Sequence, residues 1–213
     1  RMVEEGHRLG FGDRCGIDLP RESSGVFPES RDYWQRQFGY RPAENEVMTI
    51  SIGHGPNDQT PLRMAQFYLA LARSGDAPAP RLLREEGAPV EPAWAMELGR
   101  ASIEALRDGL RAVTRPGGTA FLRASLEHWD IIGKTGTARI FPDRPPHAWF
   151  SGMAGRWGGE PEIVIVVIVE EGLSGSAAAA PVAAKAVDFH LRRKYGMPLD
   201  TVQTLWEHQV AGV

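Results

Sequence analysis

Ile163-Val164-Ile165-Val166-Val167-Ile168-Val169 is an unbroken run of β-branched residues, and it constrains the fold more than any other stretch of the chain. Branching at Cβ stiffens χ1 and suits the pleated surface of a sheet better than a helix. The run is far too short to span a bilayer. Without polar alternation it reads as a central strand buried on both faces, and such a strand needs neighbours. They are found just upstream. Ile131-Ile132 leads into a segment that runs on to Phe141, Pro142 to Pro146 makes a polar turn, and His147 to Ala154 alternates. Trp149, Ser151 and Met153 share one face of that segment, and Ala148, Phe150 and Ala154 the other. Trp157-Gly158-Gly159-Glu160-Pro161 is the next turn. Connections this short imply antiparallel pairing.

The remaining apolar periodicity is helical. Thr60 is a good N-cap, Pro61 fits the first helical position, Gly75 fits the residue past the end, and Leu62, Ala65, Leu69 and Ala72 share a face expected to be buried. A second helix is expected over Ala101 to Thr114, with Ile103, Leu106, Leu110 and Val113 at helical spacing and Arg115-Pro116-Gly117-Gly118 stopping it. A short helical turn is expected near Ala120 to Ala124, and a terminal helix from Pro181 to Tyr195, closed by Gly196 and Pro198. Residues 1–60 are rich in turn formers and read mostly as loops, although Arg1 to Glu5 reads like the tail of a helix. Pro78 to Pro92 reads as a charged connector. The fold class is therefore α+β, an antiparallel sheet flanked by helices.

Composition excludes several classes. With 42% hydrophobic and 24% charged residues the chain is of the soluble globular kind, and a net charge of −3 argues against a nucleic-acid-binding surface. Cys15 is the only cysteine, so no internal disulfide can form, and it reads as a packed residue. The six histidines show no metal-ligand spacing. His54 reads as loop packing and His147 as structural, with substrate contact as its alternative. Glu170-Glu171 reads as a solvated turn, Ser174-Gly175-Ser176 as a cap or turn, and Arg192-Arg193-Lys194 as positive charge favourable at a helix C-terminus.

The segment with the most chemistry is Gly133-Lys134-Thr135-Gly136-Thr137-Ala138. On a strand, Lys134 and Gly136 point one way and Thr135 and Thr137 the other. Gly133 and Gly136 remove bulk, so another backbone can approach, and an edge strand with such gaps can pair with an extended peptide. Lys134 supplies a fixed charge for a carboxylate or for tuning a hydroxyl. Thr135 and Thr137 supply hydroxyl donors, and the Thr137 N–H can serve a developing oxyanion. Lys134, Lys185 and Lys194 are the only lysines.

A Lys-Thr-Gly triplet on a strand is one of three motifs that build the site of penicillin-binding proteins and serine β-lactamases. Several other segments come in the family's order: Gly10-Phe11-Gly12, Gly16-Ile17-Asp18-Leu19-Pro20, Ser51-Ile52-Gly53-His54-Gly55, Thr60 to Ala65, Gly109 to Val113, Pro116-Gly117-Gly118-Thr119-Ala120 and His147-Ala148-Trp149-Phe150. Together they resemble the C-terminal half of a class B penicillin-binding protein transpeptidase domain. The long Arg21-to-Asn45 insert favours the elongation-type branch.

That resemblance implies the penicillin-binding-protein/serine β-lactamase-like fold with its upstream portion missing, and a D,D-transpeptidase that cross-links peptidoglycan through a serine acyl-enzyme. Residues 1–213 would form the C-terminal portion of one transpeptidase domain: 1–60 loop-rich, 61–124 helical, 125–195 sheet plus terminal helix, and 196–213 a tail. Lys134 and Thr137 would be catalytic, with Thr135, Gly136 and Thr137 binding substrate; Trp149 would pack beneath the site. The resemblance implies no cofactor. The ligands would be the D-Ala-D-Ala stem peptide and β-lactams. The parent would work with cell-wall elongation proteins at the periplasmic face of the membrane, held by an N-terminal anchor.

No serine here is followed by lysine three positions on or by asparagine two positions on, so the family's Ser-x-x-Lys and Ser-x-Asn motifs do not occur in this chain. Both are expected upstream of residue 1, and the chain alone is expected to be inactive. A β-lactamase or D,D-carboxypeptidase of the same superfamily, and a non-catalytic module that binds cell-wall peptides, are the alternatives.

Overall fold

The computed structural model describes residues 1–83, 87, 89–200, 204 and 207. It divides into two compact units, Arg1–Leu98 and Gly99–Val213.

The first unit is more helical than its composition suggests. Helices α1 (Met2–Arg8), α2 (Asp32–Phe38) and α3 (Glu44–Thr49), with a 3-10 turn at Ile50–Ile52, interrupt the expected loops. Each is short enough that intrinsic helix formation is marginal in water, so tertiary packing makes them helices. Val3, Phe27, Trp34 and Ile50 form the small core that anchors them. Helix α4 (Pro61–Ala72) starts as expected: the Thr60 hydroxyl accepts the Arg63 N–H at 3.1 Å, and proline occupies the first turn.

Its buried face differs from the expectation. Leu62, Ala65, Leu69 and Ala72 are half-buried, whereas Arg63, Gln66, Tyr68, Ala70 and Leu71 are buried. Arg63 donates to Gln66 Oε1 (2.6 Å) and to the Leu9 carbonyl (3.0 Å), and Gln66 donates to the Pro78 carbonyl (3.1 Å). Loop carbonyls that need donors draw these polar side chains inward. The connector is flanked by a feature that the sequence reading missed: β1 (Asp76–Ala77), before it, pairs antiparallel with β2 (Trp94–Ala95), after it. The rest of that connector expectation lies partly outside the described residues.

The second unit holds the sheet. Helix α5 (Arg100–Val113) precedes β3 (Trp129–Ala138), β4 (His147–Arg156) and β5 (Ile163–Val169), in the antiparallel order β3-β4-β5. This corrects one expectation: β5 is an edge among the described strands, and β4 is central. Two successive short turns make a meander, in which the middle strand in sequence is the middle strand in space. β4 is buried over most of its length, whereas β5 is half-buried with Ile168 exposed.

On α5 only Ile103 is buried; Leu110 and Val113 are half-buried and Leu106 is exposed. Past its end, the backbone N–H of Ala124 bonds the Ala120 carbonyl at 2.9 Å, which is the expected helical turn. After β5, a π-helical turn (Gly175–Ala179) leads into α6 (Ala180–Lys194). Ala180, Ala183, Ala184, Val187 and Leu191 line the buried face of α6, and these mostly small side chains let the helix lie close to Ile131, Phe150 and Ala154 of the sheet.

Arg192 departs from its reading as a charge at the helix end. It is buried and donates through Nε to both carboxylate oxygens of Asp188 (2.9 Å each), while Trp129 Nε1 donates to Asp188 Oδ1 at 2.7 Å. Among the described residues, no helix is long and apolar enough to cross a membrane.

Candidate active site

The Lys-Thr-Gly segment lies on β3, whose other edge is hydrogen-bonded to β4. Cross-strand partners establish the faces. Lys134 stands opposite Ser151 and Gly136 opposite Trp149, whereas Thr135 stands opposite Phe150 and Thr137 opposite Ala148. Lys134 and Thr137 are exposed, and Thr135 and Gly136 half-buried. The lysine ammonium donates to the Thr135 carbonyl at 2.6 Å, which folds its stem over the strand. The lysine and the two threonine hydroxyls therefore leave β3 from opposite faces of one exposed stretch.

The two glycines of this segment have distinct uses. Gly133 is buried, and a Cβ there would meet the Phe150 ring at 2.8 Å and Gly152 Cα at 2.9 Å. The space it leaves is taken by the neighbouring strand, not by an incoming backbone. At Gly136 a Cβ would come within 3.1 Å of Trp149 Cβ. Trp149 is half-buried and stands across from Gly136, on the face that Lys134 shares.

Two contacts to the threonines were not anticipated. Thr119 Oγ1 lies 3.1 Å from Thr135 Oγ1, and the Gly175 N–H donates to Thr137 Oγ1 at 3.4 Å. Both residues sit in segments that sequence reading singled out, the Pro-Gly-Gly-Thr turn and the Ser-Gly-Ser turn, but spacing along a chain gives no signal of contacts across a fold. Ser174 and Ser176 engage each other at 3.0 Å. His147 Nδ1 accepts the Glu171 N–H at 3.0 Å, a structural bond that ties the start of β4 to the turn after β5. His54 is exposed. Among the described residues no cluster of His, Cys, Asp or Glu is placed to hold a metal ion.

A lysine and hydroxyl donors on one exposed strand are groups whose chemistry suits a carboxylate-bearing peptide or an acyl donor. Comparison with known proteins gives the family. The chain belongs to the penicillin-binding protein transpeptidase domain family, whose model matches residues 1–188. It is 28% identical over 226 residues to peptidoglycan D,D-transpeptidase MrdA of Haemophilus influenzae, covering 92% of this chain and 34% of that protein. It is 30% identical over 152 residues to MrdA of Escherichia coli K12, covering 66% of this chain and 24% of that protein. The chain thus spans about a third or less of the length of these relatives.

Among solved structures, Pseudomonas aeruginosa PBP2 in complex with WCK 5153 matches with a TM-score of 0.73 at 27% identity, over 95% of this chain and 45% of that one. The complex between PBP2 and MreC from Helicobacter pylori matches with a TM-score of 0.75 at 23% identity, over 89% of this chain and 35% of that one, and shares the fold.

Proposed function

We propose that residues 1–213 are the C-terminal portion of one transpeptidase domain, in an elongation-type class B penicillin-binding enzyme that cross-links peptidoglycan stem peptides. The observation that carries this reading is the exposed Lys134 on β3, with Thr135 and Thr137 beside it, in a chain whose family match runs over residues 1–188.

In this reading a serine upstream of Arg1 attacks the carbonyl carbon of the penultimate D-Ala. A C–O bond forms, the C–N bond to the terminal D-Ala breaks, and that D-Ala leaves as the amine with the proton from the serine. The amine of a second stem peptide then attacks the ester, makes the new amide and returns a proton to the serine. Lys134 and Thr137 are the catalytic residues of this chain. Lys134 holds a fixed positive charge beside the upstream hydroxyls and helps shape their proton network, and the Thr137 N–H supplies half of the oxyanion hole. Thr135, Gly136 and Thr137 bind substrate: the hydroxyls take its terminal carboxylate, and the bare Gly136 leaves room for its backbone. β-Lactams bind the same groups. The parent works at the periplasmic face of the membrane with cell-wall elongation proteins.

Intact-mass spectrometry after incubation with penicillin tests this. The 213-residue polypeptide alone takes up no adduct, and the protein made from the complete coding sequence takes up one, mapped to a serine upstream of Arg1 and formed more slowly in Lys134→Ala. A stoichiometric adduct on a serine within residues 1–213, or no adduct on the complete protein, overturns the reading.

A further inference from the structure

The Pro116-Gly117-Gly118-Thr119 turn has no role in the chemistry above, yet it places a hydroxyl on the Lys-Thr-Gly strand. We propose that Thr119 is a positioning residue: it donates to Thr135 Oγ1 and so commits the Thr135 proton to the carboxylate of the ligand. This rests on the transpeptidase reading.

The turn is held on both sides of Thr119. At the end of α5, the buried Thr114 hydroxyl donates to the Ile131 carbonyl of β3 at 2.7 Å, and Ser125 Oγ donates to the Thr114 carbonyl at 2.7 Å. Gly117 is in the left-handed region at φ 88°. Gly118 folds so tightly on the helix end that a Cβ would collide with the carbonyl oxygens of Val113 and Ala112. On the other side, Ala120 is fully buried and its N–H bonds the Val113 carbonyl at 3.0 Å. Thr119 is thus an exposed residue between two anchored neighbours, with its hydroxyl 3.1 Å from Thr135 Oγ1.

Each hydroxyl has one proton to donate, and either atom of the pair can be the donor. A bound carboxylate settles the direction. It only accepts, so Thr135 turns its proton outward, and the Thr135 lone pair is left to accept from Thr119. Donation into Thr135 polarises its O–H and strengthens the bond to the anion. Without Thr119 the Thr135 rotor is free among its staggered positions, and the ligand must order it.

Second-order acylation rates of the complete protein by benzylpenicillin and by its carboxylate methyl ester test this. Thr119→Val is expected to slow benzylpenicillin by roughly five- to tenfold, the effect of one hydrogen bond, and to leave the ester rate unchanged. Thr119→Ser, which keeps the hydroxyl, is expected to restore the rate to within about twofold. Equal slowing of both compounds, no slowing of either, or failure of serine to rescue overturns the proposal while the transpeptidase reading stands. A wild-type protein that benzylpenicillin does not acylate overturns that reading, and the role of Thr119 with it.

Discussion

Asp188 is a buried carboxylate on α6, and its removal has a calculable cost. Its carboxylate is 2% exposed, accepts the Trp129 indole N–H at 2.7 Å, and faces an Arg192 that is 7% exposed. Truncating one partner of a buried ion pair costs about 3–5 kcal/mol, because the other charge stays behind in a poor solvent. Arg192 keeps a bond from Nη1 to the Pro198 carbonyl at 3.1 Å, which softens the loss and points to the lower end, about 3 kcal/mol. For a protein of this size, that lowers the melting temperature by roughly 6–12 °C. The assay is urea and thermal unfolding of Asp188→Ala followed by tryptophan fluorescence, with Trp129 reporting from the site itself. The double variant Asp188→Leu with Arg192→Met removes both charges and should recover most of the loss. The π-helical turn that feeds α6 begins at Gly175, whose N–H reaches Thr137 Oγ1. A loss below about 1 kcal/mol in Asp188→Ala, or a double variant as unstable as the single, would refute the argument that the buried charge sets the cost.

Two further outcomes follow from the titrating groups. Lys194, and after it Tyr195, hold the Glu162 carboxyl below its ordinary pKa of 4.5, so its stabilising contribution is complete above that pH and lost as pH falls through the lowered folded value; Glu162→Gln should flatten the acid limb of a stability profile, and an unchanged limb counts against the contact. Burial pushes the Cys15 thiol up to about 11, which leaves on the order of 10²-fold less thiolate than a free cysteine at neutral pH; iodoacetamide should alkylate it slowly until the chain unfolds, and rapid alkylation of the folded protein would contradict its burial.

The parts of this protein legible in sequence are those governed by local chemistry. Thr60 before Pro61 marks a helix start because a hydroxyl and a ring with no N–H suit the first turn whatever surrounds them. The alternation of β3 assigns Lys134 and Gly136 to one face and Thr135 and Thr137 to the other because a strand has a period of two in any fold. The Lys-Thr-Gly segment stands out not by its residue types alone but by the ordered motifs around it, all of them readable along the chain. Tertiary structure alone decided the rest. A β-branched run stiffens a strand equally at a centre or an edge, so the place of β5 depended on how two turns ordered the meander. The inward turn of Arg63 and Gln66 depended on carbonyls of Leu9 and Pro78, distant in sequence, that needed donors. Thr119 met Thr135 only because a tight turn on the end of α5 brought it to the strand. Periodicity and capping act between residues a few positions apart and can be read along the chain, whereas strand order, buried polar pairing and the meeting of two hydroxyls are contacts across the fold that exist only once it has closed.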